Sequence, residues 1–142
     1  MATINPYLNF SGNTEEAFLF YKSVFGGEFR MIQRFKDTPE ASRVPEHEQE
    51  KIMHIALPVG NNILMGTDAL ESMGHTITPG TNFSISIDAK SEAEANQLFT
   101  GLAAGGHIAV PIEKMFWGAY FGMLTDKFGL QWMVNFDGNT QP

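Results

Sequence analysis

The chain has no cysteine, few basic residues and no long apolar run. Without cysteine, disulfide bonds, thiolate metal sites and cysteine nucleophiles are excluded, which is compatible with the cytosol. Lysine and arginine number 9 against 16 acidic residues, so the basic patch that nucleic acid or an anionic membrane requires is not expected. No apolar run reaches the roughly 18 residues of a membrane-spanning helix, and the N-terminus lacks a secretion signal. We therefore expect a cytoplasmic protein with neither nucleic acid nor membrane as a partner.

The sequence repeats one order of elements in its two halves. In each half, an alternating apolar segment typical of a strand precedes an amphipathic helix that ends at two glycines, Gly26-Gly27 or Gly105-Gly106. The first half predicts strands at about 4–10, 28–35, 52–59 and 62–67 and a helix at 14–25, which Asn13 caps. The second half predicts strands at about 82–88, 107–112, 119–124 and 130–135, and a helix that begins with a capping box of Ser91 and Glu94. This self-similarity indicates a duplicated βαβββ module.

Two irregular segments and a tail separate or follow these elements. Residues 36–51 hold eight charged residues and two prolines, which predicts an exposed, mobile loop that acts either as a lid or as a solvated insertion. Residues 68–81 form a second irregular segment, and 137–142 a polar tail. Asp126-Lys127-Phe128-Gly129 is expected to be the turn of a C-terminal hairpin.

One helix can cover only one face of the four strands in its half. The apolar residues of the first strand of each half are expected to face the helices: Ile4, Leu8, Phe10, Phe83, Ile85 and Ile87. The opposite, concave face is then lined by Asn5, Tyr7, Asn9, His54, Met65, Thr67, Asn82, Ser84, Ser86, Gln131, Met133 and Asn135. Polar groups mixed with methionine and aromatic surface are typical of a small-molecule site, although part of this face is equally compatible with core.

Several motifs together resemble a known family. They are the helix Glu15-Glu16-Ala17-Phe18-Leu19-Phe20-Tyr21-Lys22 leading to Val24-Phe25-Gly26-Gly27, the strand Met53-His54-Ile55-Ala56-Leu57, and Phe116-Trp117-Gly118 with Thr125-Asp126-Lys127-Phe128-Gly129. With the paired modules, they resemble the PhnB-like branch of the vicinal oxygen chelate superfamily, which includes glyoxalase I, extradiol dioxygenases and the bleomycin and fosfomycin resistance proteins. The likeness covers nearly the whole chain. It implies an α+β, glyoxalase-like fold in which two βαβββ modules, about 3–68 and 81–137, form a curved mixed sheet with helices on its convex face, within a single domain spanning 1–142.

The resemblance also implies where a metal would be bound. Enzymes of the superfamily hold a divalent metal with His, Glu or Gln side chains on the first and last strands of each module, which correspond here to Asn5, Met65, Asn82 and Met133. None of these is a histidine or a carboxylate, and a thioether is a poor ligand for Zn, Ni, Mn or Fe. We therefore expect no metal and no other cofactor. Members of this branch are also described in relation to a ubiquinone methyltransferase, but the sequence lacks the strand, Gly-rich loop and helix that a nucleotide-like cofactor needs.

The candidate site combines His54 with the predicted cleft. His54 is a candidate general base or ligand-binding group, and alternatively a hydrogen-bonded wall residue. Trp117 can stack on a planar or cationic ligand, and alternatively packs the hairpin. The predicted ligand-binding cleft comprises Asn5, Tyr7, Asn9, His54, Met65, Asn82, Ser84, Trp117, Met133 and Asn135.

Three functions remain open. The first is a metal-free protein that binds an unidentified small molecule. The second is a lyase- or isomerase-type enzyme that uses a non-standard metal site or His54 as base. The third is a resistance protein that sequesters an antibiotic, for which the formal charge of −7 suits a cationic drug. Aromatic surface predicts a homodimer, and the two modules pair either within one chain or across that dimer.

Overall fold

The computed structural model describes residues 1–138, so the last four residues of the predicted polar tail, 139–142, lie outside the described residues. The chain forms two compact units, Met1–Thr78 and a second that begins at Pro79. Each unit holds one α-helix and one four-stranded sheet. No helix in the described part of the chain has both the length and the apolar character needed to cross a bilayer.

The two units repeat the same order of elements. The first contains β1 (Tyr7–Phe10), α1 (Thr14–Phe25), β2 (Met31–Arg34), β3 (Ile52–Val59) and β4 (Asn62–Asp68). The second contains β5 (Ile85–Asp88), α2 (Glu92–Ala103), β6 (His107–Lys114), β7 (Tyr120–Thr125) and β8 (Gln131–Phe136). The strand orders are β1-β4-β3-β2 and β5-β8-β7-β6, and in both sheets the first and last strands pair in parallel. The predicted α+β class and duplicated βαβββ topology are confirmed.

Alternation along β1 sorts its residues between the two faces of the first sheet. Leu8 and Phe10 are buried, and the Phe10 ring meets the Phe18 ring of α1 edge-on. The intervening Tyr7 and Asn9 are exposed. The apolar face of this strand therefore lies under the helix, as the alternation predicts.

Two residues that were expected to face the helices do not. Ile4 is 89% exposed and Phe83 is 57% exposed. The expectation is wrong for both because β1 begins only at Tyr7 and β5 only at Ile85, so these side chains precede the part of the sheet that a helix covers.

The Ser91 half of the capping box predicted for α2 is confirmed, whereas the Glu94 side chain accepts from Lys90, the residue before Ser91. The Ser91 hydroxyl accepts a hydrogen bond from the Glu94 N–H at 3.0 Å, and the Glu94 carboxylate accepts one from the Lys90 N–H at 2.8 Å. These bonds satisfy backbone donors that have no partner within the helix.

The N-terminus of α1 is capped by a residue that is distant in the sequence. Asn13 precedes the helix, but its side chain makes no cap hydrogen bond, so that expectation is wrong. Instead, Oδ1 of the buried Asp68 carboxylate accepts from the Thr14 N–H at 3.0 Å and from the Thr14 hydroxyl at 2.6 Å. Its Oδ2 accepts from the Ile52 N–H at 2.8 Å. One carboxylate at the end of β4 thus joins α1 to the start of β3.

The segment between β2 and β3 is more ordered than a solvated insertion. It contains three short 3-10 turns, and the Glu48 carboxylate accepts a hydrogen bond from the Ser72 hydroxyl, which lowers the pKa of Glu48. Its apolar residues form a small cluster with the segment after β4: Phe35, Val44 and Leu70, with Met53 packed against them. Most positions of residues 36–51 are exposed, as predicted, while this cluster anchors the segment to the rest of its unit.

Candidate functional site

The face of the first sheet that points away from α1 carries the candidate residues of the first unit. Strand pairing places one row across this sheet, Tyr7, Met65, Ala56 and Met31, each residue directly opposite the next. Tyr7 is exposed and Met65 is half-buried, so the row presents an aromatic ring and a thioether together. Apolar surface of this kind is what a small-molecule site needs.

His54 contacts Tyr7 on this face. The phenol oxygen lies 3.1 Å from His54 Nδ1, and the two ring centroids are 5.6 Å apart. Partial burial raises the pKa of the Tyr7 phenol, and the nearby Thr67 hydroxyl opposes this more weakly, so the phenol is protonated at neutral pH. The Thr67 hydroxyl itself donates to the Met53 carbonyl at 2.7 Å. Tyr7 and His54 therefore form a hydrogen-bonded pair, whereas the Thr67 hydroxyl is held by the backbone.

The two asparagines of the predicted cleft in the first unit, Asn5 and Asn9, have different surroundings. The Asn5 side-chain oxygen accepts from the Ile63 N–H at 2.8 Å, and the Asn62 side chain donates to the Ile4 carbonyl at 2.7 Å. The Asn5 amide therefore extends the pairing of the N-terminal segment with β4. Asn9 lies opposite Thr67 in the register and is exposed.

Sequence reasoning missed the contribution of β2 to this face. Gln33 on the edge strand pairs directly with His54 in the register and is half-buried. Alternation along residues 28–35 would have predicted which face Gln33 occupies. Its partner on β3 could not be predicted, because the register of an edge strand cannot be read from that strand's sequence alone. Thr67 was predicted on this face, although the sequence did not indicate the bond from its hydroxyl to the Met53 carbonyl.

The second sheet presents its own row, Ser86, Met133, Met123 and Val110. Asn135 lies opposite Asp88, and its side chain donates to Asp137 at 3.3 Å. Asn82 and Ser84 precede β5. The ten predicted cleft residues are therefore divided evenly: Asn5, Tyr7, Asn9, His54 and Met65 lie in the first unit, and Asn82, Ser84, Trp117, Met133 and Asn135 in the second.

Trp117 lies in the turn between β6 and β7. Its ring is 56% exposed, and it packs edge-on against Phe116, with 4.9 Å between centroids, and against Phe121, at 6.0 Å. Phe116 is 97% exposed. Both proposed uses of Trp117, stacking on a ligand and packing the hairpin, are compatible with this position.

The side chains at the four expected metal-ligand positions do not suit a divalent ion. Met65 and Met133 hold the same register position in their sheets, opposite Tyr7 and Ser86. Two amides and two thioethers are weak donors for Zn, Ni, Mn or Fe, and the Asn5 oxygen already accepts a backbone hydrogen bond. Within residues 1–138, no group of three or more His, Asp or Glu side chains is placed to hold a metal.

A groove of about 360 Å³ lies elsewhere in the first unit, beside the start of α1, and Arg34, Glu15, Lys51 and Asp68 in its wall each bond to other groups of the chain. Arg34 binds the Glu15 carboxylate through two bonds, at 2.7 and 2.9 Å, which lowers the pKa of Glu15. Lys51 donates to the Gly12 carbonyl at 2.9 Å. Arg34 therefore joins β2 to α1, and we favour the open sheet face as the candidate site.

Comparison with known proteins agrees with the duplicated fold. A family model described as 3-demethylubiquinone-9 3-methyltransferase matches residues 2–135. Protein YjdN of Escherichia coli K12 is 31% identical over 140 residues, covering 93% of each chain. The crystal structure of PA1353 from Pseudomonas aeruginosa is 40% identical, with a TM-score of 0.85 over 98% of this chain and 100% of that one.

More distant structures extend the likeness. A putative 3-demethylubiquinone-9 3-methyltransferase, PhnB protein, from Bacillus cereus is 26% identical, with a TM-score of 0.76 over 95% of this chain and 99% of that one. A glyoxalase/bleomycin resistance protein/dioxygenase family enzyme from Burkholderia phytofirmans shares the fold at 18% identity, with a TM-score of 0.60 over 92% of this chain and 95% of that one.

Proposed function

The chain belongs to the PhnB-like family described as 3-demethylubiquinone-9 3-methyltransferase, within the glyoxalase-like superfamily, and on that premise we propose that it binds a small molecule without the superfamily's usual divalent metal. The binding site that we propose in the first unit is the open face of its sheet, formed by Tyr7, His54 and Met65, with Thr67 and Gln33 at its margin. The corresponding face of the second sheet is a further candidate surface, with Met133 at its centre.

The contact between Tyr7 and His54 carries this proposal. Two side chains that can donate and accept hydrogen bonds lie 3.1 Å apart on a face that no helix of this unit covers, next to the thioether of Met65. Small-molecule sites combine apolar surface with a few placed polar groups in this way. A group that served only to complete a core would be expected to be buried, whereas Tyr7 is 45% exposed.

The proposal differs from the activity in the family's description. A methyltransferase of the nucleotide-binding kind would seat its cofactor against a Gly-rich turn at a helix N-terminus. Here the N-terminus of α1 is occupied by the Asp68 carboxylate, and that of α2 by the side chains of Ser91 and Glu94. The chain's own side chains satisfy these donors, which favours binding over methyl transfer.

One observation supports an enzyme as the second candidate. A general base is usually oriented by a hydrogen bond to its other nitrogen, and His54 Nδ1 has that bond with Tyr7. A lyase- or isomerase-type reaction that begins with proton abstraction would use the free His54 nitrogen. Turnover that falls by orders of magnitude in His54→Ala would favour this candidate, whereas a modest change in affinity alone favours binding.

The homodimer and the cytoplasmic location stay predictions. Exposure of Phe116 and Trp117 supports self-association, because large exposed aromatic groups are enriched at interfaces. Sedimentation equilibrium of the full chain would show a monomer if this expectation is wrong.

Methyl NMR of the full chain, labelled at its methionines, tests the proposed site. We expect phenol, anisole or benzylammonium to shift the Met65 methyl signal saturably, with a Kd of about 1–10 mM for such small probes. Met73, which is 40% exposed in the segment after β4, serves as the control and should not move. If none of the three probes moves Met65, or if Met73 moves equally, the proposed site is wrong.

A further inference from the structure

The segment between β2 and β3 is braced by its own hydrogen bonds. At its base, the Lys36 N–H donates to the Gln49 carbonyl at 3.0 Å. The Gln49 side chain then reaches into the segment and donates to the carbonyls of Ala41 and Val44, both at 2.7 Å. We call residues 37–48 the strap. A compact loop whose ends lie close together and whose own groups hold its shape is able to move as one piece.

Two contacts dock the strap on the segment that follows β4. Val44 is 5% exposed and belongs to the cluster that contains Phe35 and Leu70. The buried Glu48 carboxylate accepts from the Ser72 hydroxyl, and it accepts a longer bond from the Ser72 N–H at 3.4 Å. Most other residues of the strap are exposed. A segment with few buried apolar contacts opens at a lower free-energy cost than the sheet beside it.

Met53 connects the docked strap to the candidate site. Its side chain packs against the cluster that contains Val44, whereas its backbone carbonyl accepts the Thr67 hydroxyl at 2.7 Å. The next residue is His54, whose Nδ1 lies 3.1 Å from the Tyr7 oxygen. Undocking the strap removes part of the packing around Met53, so the start of β3 is held less firmly at the residue beside His54.

We propose that the strap docks and undocks as one piece, and that a ligand binds at His54 only while the strap is docked. This inference rests on the proposed function for the identity of the site. The contact between Glu48 and Ser72 is the latch, because undocking breaks both bonds of a buried carboxylate. A ligand that binds only the docked form shifts the equilibrium toward that form, so binding and docking stabilise each other.

Trypsin cleavage of the full chain after Arg43 measures the undocked population. The Arg43 side chain is 78% exposed, but Val44 is buried while the strap is docked, so the bond between them becomes accessible on undocking. We expect Ser72→Ala to speed this cleavage about 10- to 100-fold, because the Glu48 carboxylate loses its hydroxyl donor. Ser42→Ala, at an exposed position of the strap, is the matched control and should change the rate by less than about twofold.

Cleavage after Lys90, which is exposed in the second unit, separates undocking from global unfolding. Its rate should be the same in the wild type, Ser42→Ala and Ser72→Ala, because undocking the strap leaves the second unit folded. An unchanged rate after Arg43 in Ser72→Ala would overturn the latch. An equal rise at both cleavage sites would overturn it as well, since the loss of stability would then be global.

Phenol tests the link between the strap and the site. Its Kd for the wild-type protein is measured from the Met65 methyl signal. At about four times that Kd, phenol should slow the cleavage after Arg43 about fivefold and leave the cleavage after Lys90 unchanged, which also controls for inhibition of trypsin.

The possible failures are distinguishable. If phenol shifts Met65 saturably but does not slow the cleavage after Arg43, the link to the site is wrong. If phenol does not shift Met65, the proposed function fails at this site and the link fails with it, whereas the strap and its latch are still decided by Ser72→Ala.

Discussion

Replacing Asp68 by alanine is expected to lower the free energy of unfolding by about 3–5 kcal/mol. The carboxylate is 4% exposed and accepts three hydrogen bonds, from the Thr14 N–H, the Thr14 hydroxyl and the Ile52 N–H. Truncation leaves these donors without partners in a buried place and removes the cap of α1. Urea denaturation of the full chain, followed by far-UV circular dichroism, measures the change.

Two further variants separate the cap from a general effect of charge. Asp68→Asn keeps one acceptor oxygen but turns an amide donor toward the Ile52 N–H, so an intermediate loss of about 1–3 kcal/mol is expected. Asp88→Ala removes an exposed carboxylate and should change the stability by less than about 0.5 kcal/mol. A loss below about 1 kcal/mol for Asp68→Ala would show that its three bonds do not anchor α1.

Replacing Gly106 by alanine is expected to cost about 2–3 kcal/mol. A Cβ at this position would lie 2.2 Å from the carbonyl oxygen of Thr125 and 2.9 Å from the backbone of Asp126. Neither atom can easily move, because Thr125 pairs with His107 and Gln131 on its two sides and Asp126 is buried. The steric conflict is therefore with backbone, where no side chain can rotate away.

Gly80→Ala is the matched control. It has no positive φ, and the nearest atom to its Cβ would be 3.8 Å away, so the substitution should be neutral or slightly stabilising. The shift in the urea midpoint measures both variants. Equal midpoints for the two variants would contradict the close approach at Gly106.

The two glycine pairs show what the repeat in the sequence predicts and what it does not. Both pairs were predicted to end a helix, and α1 and α2 do end just before them. Gly26 and Gly27 both have positive φ with open space around them, whereas Gly106 is needed for contact with Thr125. The same Gly-Gly pair therefore has different structural roles in the two units. Glycine is required at position 106 because of Thr125, which lies far away in the sequence and is not part of the local pattern.

Local patterns predicted the elements but not their long-range bonds. The bounds of α1 were predicted at 14–25 and observed there, because the apolar stripe and the terminal glycines are local signals. Asp68 was read as the start of an irregular segment, yet it caps a helix 54 residues earlier in the chain. The cluster of Phe35, Val44 and Leu70 was not predicted either, because its members come from separate segments and follow no periodic pattern in the sequence.

In the candidate site, too, the sequence predicted the face of each residue but not the contacts between residues. Alternation predicted that Tyr7 and His54 share a face, and the register of β1, β3 and β4 is compatible with that. Their contact joins residues 47 positions apart and depends on the order of strands, which alternation does not specify. The Thr67 hydroxyl donates to the Met53 carbonyl, and no side-chain pattern encodes such a bond to the backbone.

Metal content tests the central claim, binding without a divalent metal, most directly. Untagged protein, purified without a chelator and dialysed, would be measured by elemental mass spectrometry and then titrated with Zn, Ni, Mn and Fe. We expect far less than roughly one metal ion per chain before titration and no saturable binding during it, because amides and thioethers stand where imidazole and carboxylate donors are needed. About one tightly held ion per chain would contradict this expectation and favour a metal-dependent enzyme.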